Sequence, residues 1–468
     1  MTTLLGPMTL IFAVLSAGTP GETADVQNRL NQLNGQVAEL HAEIQAYSQD
    51  VERLPPVDAE LVSNPSALAA SMDLIDPTSA KRSPTEFTDE ELKSAMQKLV
   101  WTKGPFTFTP YGRLWTSMSY NTQHAQVGSY VLWIDSPDLH TGGEFQVDAR
   151  STRLGIDVAG PAVALFDDAK IGGKVEFDFQ GPSLQTNNGG ILFRHGYFEI
   201  KNDDYRLLAG QTWDVISPLY TPTFDYTVGS GAGNLAYRRA QFRFERYLSC
   251  SDTFMITLQT AAAVDILVPV SSPNPIVGSH GSWPDWQNRV ALTFGERKAK
   301  GAQPIEVGVS GHVGEQNYEF LPGGHPPVFD FTRPTWSFSI DAKIPITKTF
   351  GVQGELFTGA NLSNYYGGIL QGIDPGTLNV IRDNGGWGDI WYDMRPDLHW
   401  NLGYSIDDPL NKDMTTGRTY NQYFYCNFIY DITKFLNAGL EVSSWKTFYF
   451  SQRPGEALRL EALVRYNF

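Results

Sequence analysis

From Phe106 to the last residue, apolar and polar side chains trade places at nearly every step. In Ala236–Arg246, Ala240, Phe242 and Phe244 alternate with Arg239, Gln241, Arg243 and Glu245. Side chains of an extended strand point to opposite faces in turn, so one face here is apolar and the other charged. The same rhythm runs through Phe106–Tyr120, Phe145–Gly160, 168–180, Tyr205–Asp214, and segments within 253–262, 286–296, 305–314, 335–344, 350–359, 387–394, 399–407, 420–431, 437–450 and 457–468. In Phe145–Gly160 the apolar set shifts phase between Ala149 and Leu154, which predicts a bulge near Ser151–Thr152. Alternation alone does not settle the facing of Ile191–Ile200.

The rhythm predicts about sixteen antiparallel strands, with long connections after odd strands and short ones after even strands. The last strand places Leu458, Leu460, Ala462, Val464, Tyr466 and Phe468 on one face and Arg459, Glu461 and Arg465 on the other. Tyr247, Phe254, Phe350, Trp400, Tyr430 and Tyr466 fall at the strand ends nearest the short turns, where a membrane barrel carries an aromatic belt. The fold class expected is all-β: a transmembrane barrel, oily outside and hydrated inside, spanning 105–468.

Upstream the period changes. Val26, Leu30, Leu33, Val37, Leu40, Ile44, Tyr47, Val51 and Leu54 recur at spacings of four and three, the seam of an α-helical coiled coil over 25–54. One seam position is mostly β-branched and the other mostly leucine, a pattern that leans toward two strands. Pro55 and Pro56 end the helix. Residues 55–104 read as a linker holding one short helix, with Thr88 and Glu91 in a capping-box pattern. Residues 4–18 are apolar and end in small side chains, so 1–24 reads as a secretion signal cleaved after Gly18 or near Ala24.

Composition narrows the function. No internal apolar run approaches the ~20 residues of a membrane helix, so a bilayer could be crossed only by a closed barrel. A net charge of −16 argues against nucleic acid as partner. The two cysteines, Cys250 and Cys426, follow no pairing or zinc-binding pattern, and the sequence suggests neither metal nor other cofactor. GxSxG, HExxH and phosphate-loop motifs are missing, and scattered histidines such as His195, His312 and His399 read as structural rather than catalytic.

Several motifs, in this order, resemble the DcaP-like trimeric outer-membrane porins. After the heptad helix come STRLGID (151–157), RHGYFEI (194–200), AGQTWD (209–214), YRRAQFRF (237–244), GYSIDDP (403–409), LEVSSWKT (440–447) and a closing YNF. The resemblance implies a homotrimer in the bacterial outer membrane, a periplasmic coil, and passive uptake of small anionic solutes such as carboxylates. Leu30, Leu33, Val37, Leu40, Ile44, Tyr47 and Val51 would then serve trimerisation, against the dimeric leaning of the seam. Porins of this kind fold the loop after the fifth strand into the lumen, here 214–235, with Tyr220, Phe224, Asp225 and Tyr226 at the narrowing.

Opposite that loop, alternation and the bulge place Arg113, Arg150, Arg153, Lys174, Arg239, Arg243 and Arg289 on the lumenal face. A row of such forks would pass an anion from one to the next. Alternatively these cations pair with Glu176, Asp178, Glu245 and Glu306 and only hold the wall. A different role for the whole chain is an envelope tether, with coil and linker gripping the cell wall and the barrel as anchor.

Overall fold

The computed structural model describes residues 100–182, 189–266, 276–279 (backbone), 281–299, 301–320 and 329–468. The signal, the coiled coil and most of the linker lie outside the described residues, and with them the tether reading.

Sixteen antiparallel strands close into a barrel. In chain order they are β1 (Phe106–Asn121), β2 (Glu144–Asp148 with Arg153–Val163), β3 (Ala169–Gly181), β4 (Gly190–Lys201), β5 (Tyr205–Trp213), β6 (Arg238–Ser251), β7 (Phe254–Ala263) and β8 (Asp285–Phe294). They continue as β9 (Ile305–Phe320), β10 (Phe329–Pro345), β11 (Phe350–Ala360), β12 (Arg382–Arg395), β13 (Leu398–Pro409), β14 (Arg418–Asp431), β15 (Leu436–Tyr449) and β16 (Gly455–Asn467). A short strand, Trp101–Lys103, folds back on Phe106–Phe108, and Ile276–Ser279 extends the ladder at the far end of β9.

Closure comes from β1, which pairs with β16 from Arg113↔Asn467 to Asn121↔Arg459 and with both halves of β2 on its other side. The chain's last residue completes the seam: Gly112 and Phe468 exchange two backbone hydrogen bonds of 3.0 Å. A Cβ at position 112 would strike the Phe468 ring, so glycine there leaves room for the terminal aromatic. A closed ladder leaves no unpaired edge.

Alternation sorts the wall. On β16, Leu458, Leu460 and Val464 are 45–50% exposed while Arg459 and Glu461 are 1% and 5% exposed. Leu440, Leu356, Phe242 and Phe145 are likewise exposed on the outside, and so many apolar side chains on one surface call for an apolar surrounding. The expected interruption of β2 falls at 149–152, where the ladder to β1 resumes after a break.

The facing of β4 that alternation left open is resolved by a second bulge. The β3–β4 register jumps between Glu176↔His195 and Phe177↔Phe193, so Arg194 is the extra residue. Phe193 and Phe198 face out, and Arg194 and His195, though consecutive, both turn inward: Arg194 onto Glu176 and Asp178, His195 onto Thr212.

Most connections after odd strands are longer than those after even strands, the exceptions being 450–454 after β15 and 295–304 after β8. Three long ones, L1 (122–143), L3 (214–237) and L6 (361–381), pack inside the ring of strands. Ala125, Val131 and Ile134 of L1 join Ala232 of L3 against Tyr423, Tyr425, Trp445 and Ala457 of the wall. Ile216, Leu235 and Ala236 of L3 meet Leu362 and Tyr365 of L6 and Phe357 of β11. The main apolar core is thus made by loops meeting loops within the barrel.

Candidate site within the barrel

L3 is held by polar side chains that alternation points inward. The Val215 amide donates to Gln287 (2.7 Å), the Leu219 amide to Glu355 (2.8 Å), and Thr223 Oγ1 and the Phe224 amide to the two oxygens of Glu441 (2.7 and 2.8 Å). The Phe224 ring sits over Gly439 of β15, where a Cβ would collide with it. At Gly233, whose φ is +110°, the loop runs so close to β12 and β13 that a side chain would meet the carbonyl oxygens of Gly386 and Ile406.

Asp225 ties L3 to L1. It is 2% exposed; Oδ1 accepts the Val131 amide (2.8 Å), and Oδ2 accepts the Thr227 amide (3.1 Å) and hydroxyl. Burial pushes its carboxyl up, opposed by Arg459 and those donors. Asp225→Ala strips a buried amide of its acceptor, at a cost of about 1–3 kcal/mol. Its expected result is a lower urea midpoint and single-channel traces that flicker as L1 detaches; quiet traces with an unchanged midpoint would count against this tie. L6 joins through backbone bonds, with the Gly231 and Ala236 amides donating to the Tyr366 and Tyr365 carbonyls (2.8 and 2.9 Å).

Between these loops and the wall formed by β2–β6 lies a cavity of about 590 Å³. Four arginines line it, Arg150, Arg153, Arg194 and Arg238, and among the described residues no carboxylate does. Tyr130, Tyr226, Tyr237, Tyr366 and Trp213 form much of the rest. Acids stand behind the arginines. Asp148 takes Arg150 (3.0 Å), Glu176 takes Arg153 (3.5 Å) and Arg194 (2.7 Å), and Asp178 takes Arg194 (2.7 Å) and the Tyr226 hydroxyl (2.9 Å).

Arg238 differs. Among the described residues no carboxylate pairs with it and its Nε has no hydrogen-bond partner. Its guanidinium lies 4.7 Å from the Trp213 ring centre and 4.4 Å from that of Tyr237. Strict alternation from Arg239 would send Arg238 outward with Ala240. But Trp213↔Arg238 is the last pair of the β5–β6 ladder, and the neighbouring β4–β5 ladder has already stopped at Gly196↔Gln211. Beyond that point no ladder holds the strand ends to the wall, and both residues line the cavity.

The seven basic positions singled out from the sequence separate. Arg150 and Arg153 line the cavity. Arg113 donates to Asn467 (2.9 Å), and Lys174 pairs with Asp157 (2.9 Å) and donates to the Tyr111 hydroxyl (3.1 Å). Arg243 donates to Gln241 (2.9 Å) and the Trp213 carbonyl, with Glu245 at 3.4 Å. Arg239 and Arg289 are buried: Arg239 lies 2.7 Å from Asp214 and 3.5 Å from Asp285, and Arg289 is 2.6 Å from Asp341 and 2.8 Å from Glu306. Pairing with Glu176, Glu245 and Glu306 is realised, while Asp178 is taken by Arg194. Of the loop residues, Phe224 and Asp225 are buried, Tyr226 reaches Asp178, and Tyr220 stays 39% exposed beside Trp213 at 4.8 Å. Arg194, Arg238, Tyr130 and Tyr366 were not foreseen, because a bulge, a ladder end and two inward loops place them.

No protein-family model matches the sequence, and no curated protein matches it. Among solved structures, the outer membrane channel DcaP of Acinetobacter baumannii superposes with a TM-score of 0.61 at 19% identity, covering 78% of this chain and 99% of that one. An anion-selective porin from Comamonas acidovorans gives 0.50 at 11% identity, over 78% of this chain and all of that one (100%). At these identities the likeness establishes the fold: the chain has the barrel of the DcaP channel.

Proposed function

We propose that this protein is a bacterial outer-membrane porin, a passive channel preferring small anionic solutes such as carboxylates. The observation that carries the preference is the lining of the cavity beside L3, four arginines and, among the described residues, no acid. A guanidinium fork meets a carboxylate through two parallel hydrogen bonds, and successive forks let a bound anion step onward. In a low-dielectric recess, cations are repelled over the same distance. The aromatic side chains around the arginines exclude water without competing for charge.

L3 narrows the path in this reading, together with L1 and L6, since the three fill a lumen that sixteen strands would otherwise leave as an open aqueous channel. The oily outer wall suits acyl chains, and the strand-end aromatics Tyr392, Tyr430 and Tyr466, each 41–44% exposed, suit the interface. The DcaP likeness and the comparison porin described as anion-selective support the same reading, in which the barrel assembles as a homotrimer through its wall. The N-terminal coil then belongs on the periplasmic side, with the short turns.

The test is a reversal potential across a planar bilayer in a salt gradient. Anion preference is expected; a potential of the opposite sign would sink the proposal. Replacing 216–234 by a short Gly-Ser bridge is expected to raise single-channel conductance on the order of threefold while weakening that preference. Unchanged conductance would mean the narrowing lies elsewhere.

A further inference from the structure

L1 carries a cluster that the passage of solutes does not use. His124 precedes the hairpin Ala125–Val127/Val131–Ile134, Asp135 follows it, His140 lies further along the loop, and Glu144 opens β2. The hairpin closes this stretch on itself: the Asp135 amide donates to the His124 carbonyl (3.0 Å). The Gln123 amide group donates to the carbonyls of His140 (2.5 Å) and Asp135 (3.3 Å).

Three side chains converge as a result. Nδ1 of His124 and Nδ1 of His140 lie 2.7 and 3.2 Å from the same oxygen, Asp135 Oδ2. The other nitrogen of His124, Nε2, lies 3.3 Å from Glu144 Oε1. The two imidazoles stack with centroids 4.7 Å apart. Asp135 is 4% exposed, whereas His140 is open to solvent, so the cluster has a buried anion at its base and an entrance from outside.

The proton count is awkward for a purely hydrogen-bonded brace. A neutral imidazole has one N–H, so His124 can serve both carboxylates only as an imidazolium. A divalent cation resolves this differently: it would take the Nδ1 lone pairs of both rings and neutralise Asp135, leaving the Nε2–H of His124 to donate to Glu144. The donor atoms of His124, Asp135 and His140 all lie within 4.8 Å of one another. A tetrahedral zinc ion with bonds of about 2.0–2.2 Å holds its donors roughly 3.3–3.5 Å apart, so the 2.7 Å and 3.2 Å contacts to Asp135 would open slightly while the two imidazole nitrogens, within 4.8 Å of each other, would settle at the same spacing. Two imidazole nitrogens with carboxylate oxygens suit Zn²⁺, Ni²⁺ or Cu²⁺, and suit Mg²⁺ or Ca²⁺ poorly.

We propose that His124, Asp135 and His140 form a binding site for one divalent transition-metal ion, with Glu144 accepting from Nε2 of His124 and so fixing its ring. The ion would pin both ends of L1. Because the Val131 amide is bound by Asp225, it would also steady L1 where it packs on L3. The site stands independently of anion preference.

Full-length protein in detergent, stripped with EDTA, is titrated with ZnCl₂ by calorimetry at neutral pH. One zinc ion per chain is expected, with Mg²⁺ giving no saturable heat, and the double variant His124→Gln/His140→Gln losing at least ~100-fold in affinity. His140→Gln alone, at an exposed position, is expected to weaken binding by at least ~10-fold while leaving conductance in EDTA unchanged, which separates loss of the site from loss of the fold. Absence of saturable one-to-one zinc binding in the wild type, or equal affinity in either variant, would overturn the assignment and leave a metal-free His–Asp–His brace.

Discussion

Arg239→Ala is expected to destabilise the barrel by about 3–5 kcal/mol while leaving the ion selectivity of the surviving folded channels intact. Arg239 is 1% exposed and stands among Asp214, Asp285 and the Asn364 carbonyl, to which it donates at 2.8 Å. Its guanidinium lies 3.7 Å from the centre of the Tyr365 ring, so it also packs L6 against β6 and β8. Truncation leaves two buried carboxylates without their counter-charge and opens a gap under Tyr365. Breaking a buried pair by deleting one partner costs far more than the pair contributes, because the desolvated partner cannot return to water. A urea titration of the refolded protein reads the effect as a lower midpoint. A midpoint equal to the wild type would show that water already reaches this cluster.

Arg238→Glu, one residue earlier, is expected to shift selectivity instead: a reversal potential that swings toward cations, with a loss of stability because the new carboxylate is buried near Asp178. Arg238 has no carboxylate partner among the described residues to abandon, and it lines the cavity whose other cations are already backed by Asp148, Glu176 and Asp178. The substitution changes the local charge by two units beside the aromatic walls of Trp213 and Tyr237, where water screens weakly. Arg238→Ala is expected to fall between, with anion preference reduced several-fold on the order of one charge removed from the recess. The measurement is the reversal potential in a salt gradient, made at low and high ionic strength because screening shortens the reach of the charge. Wild-type selectivity in Arg238→Glu would remove Arg238 from the path. Unequal effects on selectivity at neighbouring positions would distinguish an arginine that holds the wall from one that meets the solute.

The strand order, the alternating loop lengths and the break in β2 at 149–152 were all legible in the sequence. The alternating facing of the last strand, Leu458–Phe468, was legible too, but its pairing with β1 and the Gly112–Phe468 contact were set by ring closure. Legibility stopped where two inward residues follow one another, as at Arg194 and His195, since period two assigns them opposite faces and only the register jump against β3 resolves it. It stopped again at L1 and L6. Their apolar residues, Val131, Ile134, Leu362 and Tyr365, have no periodic signal and are buried only because the loops fold inward onto one another and onto the wall.

By itself, then, the sequence determined which side of every stave except β4 is oily and which is wet, because the direction of a side chain along a strand follows from local backbone geometry. Which inward charges are neutralised was decided by the tertiary structure alone. Arg239 and Arg243 share one face of one strand, yet one is clasped by Asp214 and Asp285 and the other by Gln241 and Glu245. Neighbours brought together by ring closure and by loops folding inward set the electrostatics of the lumen, and no periodicity along a single strand encodes them.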